Sequence, residues 1–193
     1  FIKMRALSTF LLTLILMPCI SHARSINDVK LEEIIKVDDT NTELSLNGAS
    51  LRKTYMVINT YVGGLYLENP SHDENQILES DEHRRMLFHV LLRNVTARKI
   101  AQALKDALVL NINREEQELL EPNINQFLSM FDGKLMRGDE VNIDYIPGEG
   151  TRVIIGGDNK GTVPGKQFAD ALLSVWIGEN PAGSGFKQDI LGY

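Results

Sequence analysis

Arg52 is the side chain from which a chemistry can be argued, because it stands beside a long β-rich stretch. Residues Gly48–Leu67 read GASLRKTYMVINTYVGGLYL, and their many aromatic and β-branched residues favour a half-buried strand. If that strand is continuous, the face of Arg52 also carries Thr54, Met56, Ile58, Thr60 and Val62, because side chains alternate between the two faces. A guanidinium at the end of an apolar strip can bind an anion. The alternative is a surface arginine at the rim of a strand, and the pattern alone leaves both open.

The other residues that could do chemistry indicate neither a metal site nor a nucleophile. His72, His83 and His89 lack the close helical spacing of zinc ligands, and the single cysteine, Cys19, lies in the N-terminal segment. Ser184 stands between two glycines, but PAGSGF lacks the strand–turn–helix pattern of a nucleophile elbow and predicts a loop. We therefore expect no metal and no cofactor.

The first 23 residues have the pattern of a secretory signal peptide. Two basic residues precede the apolar run Phe10–Met17, which is too short to span a membrane. Small residues then lead to Ala23, where we expect cleavage. Cys19 raises a lipoprotein as the alternative, although Pro18 immediately before it fits that signal poorly. The mature domain would comprise residues 24–193 and reside in the periplasm or outside the cell.

Charge and length limit the class of protein. The formal net charge is −6, and removal of the two basic residues of the signal makes it −8. A chain this acidic is a poor candidate for binding nucleic acid or an anionic membrane surface. The mature length suits one domain with a substantial core, and the sequence contains no internal repeat.

The strand signals lie on both sides of the central stretch. Ile26–Leu46 predicts one or two edge strands. Arg84–Arg93 is apolar on both faces, which is typical of a strand in the middle of a sheet. Glu140–Ile146 and Thr151–Ile155, joined by Pro-Gly-Glu-Gly, predict a hairpin.

The helix signals complete an α+β pattern. Thr96 can cap a helix that runs to about Leu108, and Asn113, with an acidic residue three positions later, can cap a second one. Pro122 predicts a kink in that second helix or a division into two. A last helix is expected over about Gly165–Trp176. Strands, helices, strands and a helix in this order indicate an antiparallel sheet with helices packed on it.

Five segments resemble, in the same order, the bacterial chalcone-isomerase-like family: GASLRK, VGGLYL, DGKLMRGDEVNIDYIPGEGTRV, FADALLSVWIGENP and FKQDILG. The resemblance extends from about Gly48 to Gly192. It implies the chalcone isomerase fold, which is a large, mostly antiparallel sheet packed against a layer of helices with a ligand cleft between them.

The resemblance also implies roles for individual residues. Plant chalcone isomerases cyclise a chalcone to a flavanone, and an arginine in the matching motif polarises the substrate carbonyl; Arg52 stands at that position. The other polar positions of the family fall near Tyr61, Thr96 and Ala103 and on Val175. Most polar partners of that reaction therefore look absent.

Related non-catalytic members resemble fatty-acid binders, in which an arginine and a tyrosine hold the carboxylate. A planar guanidinium suits a carboxylate and stays charged when partly buried. The resemblance thus implies a cleft anchored by Arg52, with the hydroxyl of Tyr55 or Tyr61 and with Thr96 as further ligand-binding residues. We expect a secreted or periplasmic, non-catalytic protein that binds a small apolar carboxylate such as a fatty acid.

Two alternatives remain at this point. The first is an isomerase, an intramolecular lyase acting on a flavonoid-like enone, in which Arg52 is catalytic. The second is a structural or interaction protein of the cell envelope, in which the cleft is collapsed and Arg52 pairs with an acidic neighbour.

Overall fold

The computed structural model describes residues 23–37 and 39–193. The expected signal peptide, apart from Ala23, lies outside the described residues. The strands are β1 (Ala23–Ile26), β2 (Val29–Glu32), β3 (Ile34–Val37), β4 (Thr42–Thr54), β5 (Ile58–Leu67), β6 (Arg84–Val90), β7 (Asn94–Thr96), β8 (Lys134–Met136), β9 (Glu140–Ile146), β10 (Gly150–Ile155) and β11 (Asp158–Val163). The helices are α1 (Glu74–Glu79), α2 (Ala97–Val109), α3 (Arg114–Ser129), α4 (Lys166–Ile177) and α5 (Ser184–Ile190).

Seven strands form one antiparallel sheet in the order β11-β10-β9-β6-β5-β4-β3. Strand β6 is the middle strand, which confirms the position expected for the doubly apolar Arg84–Arg93 segment. The predicted hairpin is also confirmed, since β9 pairs with β10. Two further pairs, β1 with β2 and β7 with β8, lie outside this sheet.

The helices cover one face of the sheet, and the main core lies between the two layers. Helix α2 packs against α3 and α4, and α4 packs on β10. On the opposite face, a smaller core joins β1 and β2 to β3, β4 and β5. This layered arrangement confirms the α+β prediction. None of the helices in the described part of the chain has the length and apolar character needed to cross a membrane.

The continuous strand considered for Gly48–Leu67 does not form. Strands β4 and β5 form a hairpin, and the chain reverses at Tyr55 and Met56, which have φ of +52° and +61°. The nitrogen of Val57 donates to the carbonyl oxygen of Thr54 at 3.4 Å across this turn. The segment TYMVIN contains no glycine or proline at the reversal, so its β-forming residues concealed the turn.

The helix predictions are confirmed at three places, and the loop predicted at Ser184 is wrong. Helices α2 and α4 lie where they were expected. Asn113 caps α3 through its Oδ1, which accepts from the nitrogen of Glu116 at 2.9 Å. Helix α3 nevertheless continues past Pro122 instead of dividing, because Ile124 and Phe127 beyond the proline are buried in the core. Ser184 opens α5 and does not lie in a loop.

Candidate ligand-binding cavity

A cavity of about 530 Å³ lies between the sheet and α2. This volume is within the roughly 300–1,000 Å³ that small-molecule sites occupy. Its walls are mostly apolar and come from β6, β9, α2, α4 and the connections between them. The apolar lining residues are Phe88, Val90, Leu92, Val95, Ile100, Ala103, Leu104, Ala107, Leu110, Phe131, Leu135, Val141, Ile143, Val175, Trp176 and Ala182.

The polar lining residues come from two places. Four belong to the adjoining ends of β4 and β5, and two belong to α2: Arg52, Thr54, Thr60, Tyr61, Lys99 and Asp106. Arg52 and Tyr61 are register partners in the antiparallel β4–β5 pair, so both side chains project from the same face of the sheet. That face is the one covered by the helices.

A β-bulge shapes this end of the cavity. The register passes from Arg52 opposite Tyr61 to Lys53 opposite Asn59, so Thr60 is the extra residue on β5. A bulge interrupts the alternation of side chains, and Thr60 and Tyr61 therefore both line the cavity. The Thr60 hydroxyl donates to the carbonyl oxygen of Arg52 at 2.6 Å, which ties the two strands together at the site.

The guanidinium of Arg52 has N–H donors that remain available to a ligand. Its Nη1 donates to the carbonyl oxygen of Lys53, and none of the ion pairs within residues 23–37 and 39–193 involves Arg52. A Cβ atom at Gly183 would lie 3.6 Å from the Arg52 Cζ atom, which is ordinary van der Waals contact, so the loop before α5 runs directly beside the guanidinium. Arg52 is partly exposed and is free to pair with an anion that enters the cavity.

Tyr61 lies in an aromatic corner of the cavity. Its ring makes edge-to-face contacts with Phe88 and Phe186, at centroid distances of 5.1 and 5.7 Å. Burial raises the pKa of the Tyr61 phenol above its usual value of 10.0, and the hydrogen bond from Trp176 and the charge of Arg52 only partly oppose that rise. The phenol is therefore protonated at neutral pH and can donate a hydrogen bond.

The family model described as chalcone isomerase-like matches residues 23–192 of this chain. The chain belongs to the chalcone isomerase-like family. The match takes in both cores and the whole of the cavity lining, so the site described above is part of the family domain. No curated protein matches the sequence.

Among solved structures, the chain is similar to a fatty-acid binding protein of Arabidopsis thaliana. The TM-score is 0.61, and the alignment covers 82% of this chain and 96% of the Arabidopsis chain at 18% sequence identity. At this level of identity, the likeness shows that the two proteins share a fold. The chalcone isomerase-like fold implied by the sequence is thus confirmed.

The structure brings only two of the four residues proposed from the sequence into the cavity of this chalcone isomerase-like domain, namely Arg52 and Tyr61. Tyr55 lies at the tip of the β4–β5 hairpin with 85% of its surface exposed, because the strand reverses there. Thr96 is exposed at the N-cap of α2, where its side chain makes no capping hydrogen bond. Neither Tyr55 nor Thr96 lines the cavity.

Sequence reasoning placed Thr54 and Thr60 on the face of Arg52 without assigning them to the site, and it missed Lys99 and Asp106. The two threonines depend on the hairpin and its bulge, for which the sequence carries no signal. Lys99 and Asp106 could have been found, because they flank the predicted apolar stripe of α2 at a spacing of two helical turns. Within the part of the chain that the structure describes, no group of three or more His, Cys, Asp or Glu side chains could hold a metal ion.

Proposed function

We propose that this chalcone isomerase-like protein binds a small apolar carboxylate, such as a fatty acid. In this proposal, Arg52 and Tyr61 bind the carboxylate and the apolar walls enclose the tail. The observation that carries the proposal is an arginine without an ion-pair partner among the described residues, at the end of an apolar cavity. The Arabidopsis protein of the same fold, which is a fatty-acid binding protein, supports the same class of ligand.

The two parts of such a ligand would contribute differently to affinity. Each buried methylene of the tail is worth about 0.8 kcal/mol, so about ten of them supply roughly 8 kcal/mol before the entropic costs of association. A hydrogen bond to a charged group is worth about 1.5–3 kcal/mol. The tail therefore provides most of the affinity, and Arg52 provides the orientation and the preference for an acid.

The two alternative functions have weaker support. Isomerase activity needs a general acid or base near Arg52. Among the described residues that line the cavity there is no histidine, the Tyr61 phenol has a raised pKa, and Lys99 and Asp106 are exposed side chains on α2. Ala103 and Val175 are apolar at or near positions where the resemblance to plant chalcone isomerases implies polar residues. In a structural protein with a collapsed cleft, side chains would fill the cleft and Arg52 would pair with an acidic residue. Neither condition is met in the described part of the chain.

Mass spectrometry of the co-purified ligand tests the proposal directly. The protein is purified without detergent, and its organic extract is compared with that of an Ala107→Phe variant, whose added ring fills part of the cavity. We expect a fatty acid or a related carboxylate in the extract of the natural protein and much less in that of the variant. Equal amounts in both, or a chalcone cyclisation rate that depends on Arg52, would contradict the proposal.

We also propose that the protein works in the periplasm or outside the cell after cleavage near Ala23. The sequence pattern of residues 1–23 supports this location. N-terminal sequencing of the protein from its natural host should begin near residue 24, and a cytoplasmic protein that retains this segment would refute the location.

A further inference from the structure

The tip of the β4–β5 hairpin exposes four consecutive large apolar side chains. Residues Tyr55 to Ile58, which we call the hairpin tip, are between 46% and 87% exposed. They make up four of the nine large hydrophobic side chains that are exposed in the described part of the chain. Single exposed apolar residues are normal on a protein surface, whereas a contiguous cluster marks a contact surface.

The backbone of the hairpin tip is strained. Tyr55 and Met56 have φ of +52° and +61°, which is the pattern of a type I′ turn. Asn-Gly is the preferred pair for this turn, since L-residues with larger side chains are disfavoured at positive φ. The chain thus carries a tyrosine and a methionine where folding favours small residues, which points to a function for their side chains.

The hairpin tip lies at the edge of the cavity. Thr54, the residue immediately before it, lines the cavity, and so does the exposed Leu110 at the end of α2. Arg52 and Lys53 adjoin the hairpin tip in the chain, and Lys99 lines the same cavity from α2. These three cations take part in none of the ion pairs between described residues, and Asp106 is the one carboxylate in the cavity lining. An apolar hairpin tip flanked by cationic side chains that form no ion pair is complementary to the surface of a lipid bilayer.

We propose that the hairpin tip inserts into the surface of a lipid bilayer and that the ligand passes between bilayer and cavity at this edge. The insertion rests on the hairpin tip alone, while the passage of ligand rests on the proposed function. The tyrosine suits the headgroup region, and the methionine, valine and isoleucine suit the acyl boundary beneath it. Arg52 and Lys53 would then lie at the level of the lipid phosphates.

The net charge of −8 expected for the mature chain does not oppose this contact strongly. Exposed charges that lie more than about 8 Å from the bilayer are largely screened at physiological ionic strength. The expectation that an acidic chain avoids anionic surfaces therefore applies to the whole molecule, whereas the hairpin tip presents its own local charges.

Vesicle flotation tests the insertion. The mature protein is floated with vesicles of phosphatidylcholine, with and without phosphatidylglycerol, and compared with a variant that carries both Tyr55→Asn and Met56→Gly. The variant replaces two of the four apolar residues of the hairpin tip by the preferred Asn-Gly pair, so it keeps the fold. Leu119→Ser is the control, because Leu119 is 61% exposed on α3 and does not line the cavity.

We expect the natural protein and Leu119→Ser to float and the double variant to lose about ten-fold or more in partitioning. Phosphatidylglycerol should strengthen binding by about five-fold for each cation at the surface. No flotation of the natural protein on either vesicle, or undiminished flotation of the double variant, would overturn the insertion.

The transfer of ligand is measured with a fluorescent fatty acid. The double variant should bind this probe in buffer as well as the natural protein does, but should take it more slowly from vesicles. Equal rates of transfer from vesicles to the two proteins would overturn the proposed route of the ligand past the hairpin tip. If neither protein binds the probe in buffer while the natural protein still floats, the proposed function fails and the membrane contact stands.

Discussion

The Tyr61 hydroxyl accepts a hydrogen bond from Nε1 of Trp176 at 3.3 Å, inside the cavity and on the same face of the sheet as Arg52. Because the indole is the donor, the phenol keeps its own proton for another acceptor. The raised pKa of Tyr61 keeps that proton in place at neutral pH. The geometry therefore pairs a permanent cation with a neutral donor, and both can serve one carboxylate.

Removal of the Tyr61 hydroxyl should weaken fatty-acid binding without unfolding the protein. We expect Tyr61→Phe to lose about 1.5–3 kcal/mol of binding free energy, which is the usual worth of a hydrogen bond to a charged group. Tyr55→Phe is the matched control and should bind like the natural protein, since Tyr55 lies outside the cavity. Titration with a fluorescent fatty acid measures both, and a larger loss for Tyr55→Phe would refute the assignment.

Filling the cavity should abolish binding of long chains first. Ala107→Phe adds a ring to the wall that α2 contributes, whereas Gln102→Phe adds the same ring at an exposed position of α2 outside the lining. We expect Ala107→Phe to reduce affinity progressively as the fatty-acid chain lengthens, and Gln102→Phe to leave the whole series unchanged. Parallel losses in both variants would mean that the tail does not occupy this cavity.

The strained hairpin predicts a stability gain. Replacing Tyr55 and Met56 by Asn and Gly relieves positive φ at two residues that prefer negative values, and we expect the free energy of unfolding to rise by about 1 kcal/mol. Urea denaturation measures this as a higher midpoint with an unchanged slope. A lower midpoint would show that the exposed side chains stabilise the native state.

A buried histidine immediately before β6, outside the cavity lining, predicts a pH dependence. Burial is the largest cause that lowers the pKa of His83 from 6.5, with Arg85 and Arg152 acting in the same direction and Asp144 and Glu68 opposing them. His83 is 2% exposed, and its Nε2 has no hydrogen-bond partner among the described residues.

The pKa of His83 is lower in the folded protein than in the unfolded chain. The unfolded chain therefore binds the proton more tightly. The contribution of His83 to stability is therefore present above pH 6.5 and is lost as the pH falls from there through the lower, folded value. Urea midpoints measured between about pH 7.5 and about pH 5.5 should fall for the natural protein and fall less for His83→Gln. An equal decline in both would assign the effect to other groups.

Local patterns in the sequence predicted those strands and helices whose formation depends on residues close together in the chain. The doubly apolar run of β6 indicated a central strand, and Asn113 with Glu116 indicated the start of α3. The reversal at Tyr55 and Met56 could not be predicted, because large apolar residues occupy positions that usually hold asparagine and glycine.

The candidate site depends on contacts between distant parts of the chain. In GASLR, Gly48 is required because a Cβ there would lie 2.2 Å from the carbonyl oxygen of Asp189, and Ser50 donates to the Asp189 carboxylate at 2.5 Å. These contacts dock α5 beside β4 and bring Gly183 next to Arg52. The sequence pattern drew attention to Arg52 but left a surface arginine equally possible. Only the resemblance to a family implied a ligand-binding role for it, because no local pattern encodes such docking.

The central claim is that Arg52 binds the ligand's carboxylate, and calorimetric titration of the delipidated protein with a fatty acid and with its methyl ester tests it most directly. The natural protein should prefer the acid by about ten-fold or more, because the ester cannot form the charge-assisted bond. Arg52→Ala should lose most of this preference and keep only the part that the Tyr61 hydroxyl contributes, while Arg114→Ala, which removes an arginine side chain that is 90% exposed, should keep all of it. An acid preference that survives undiminished in Arg52→Ala would contradict the account.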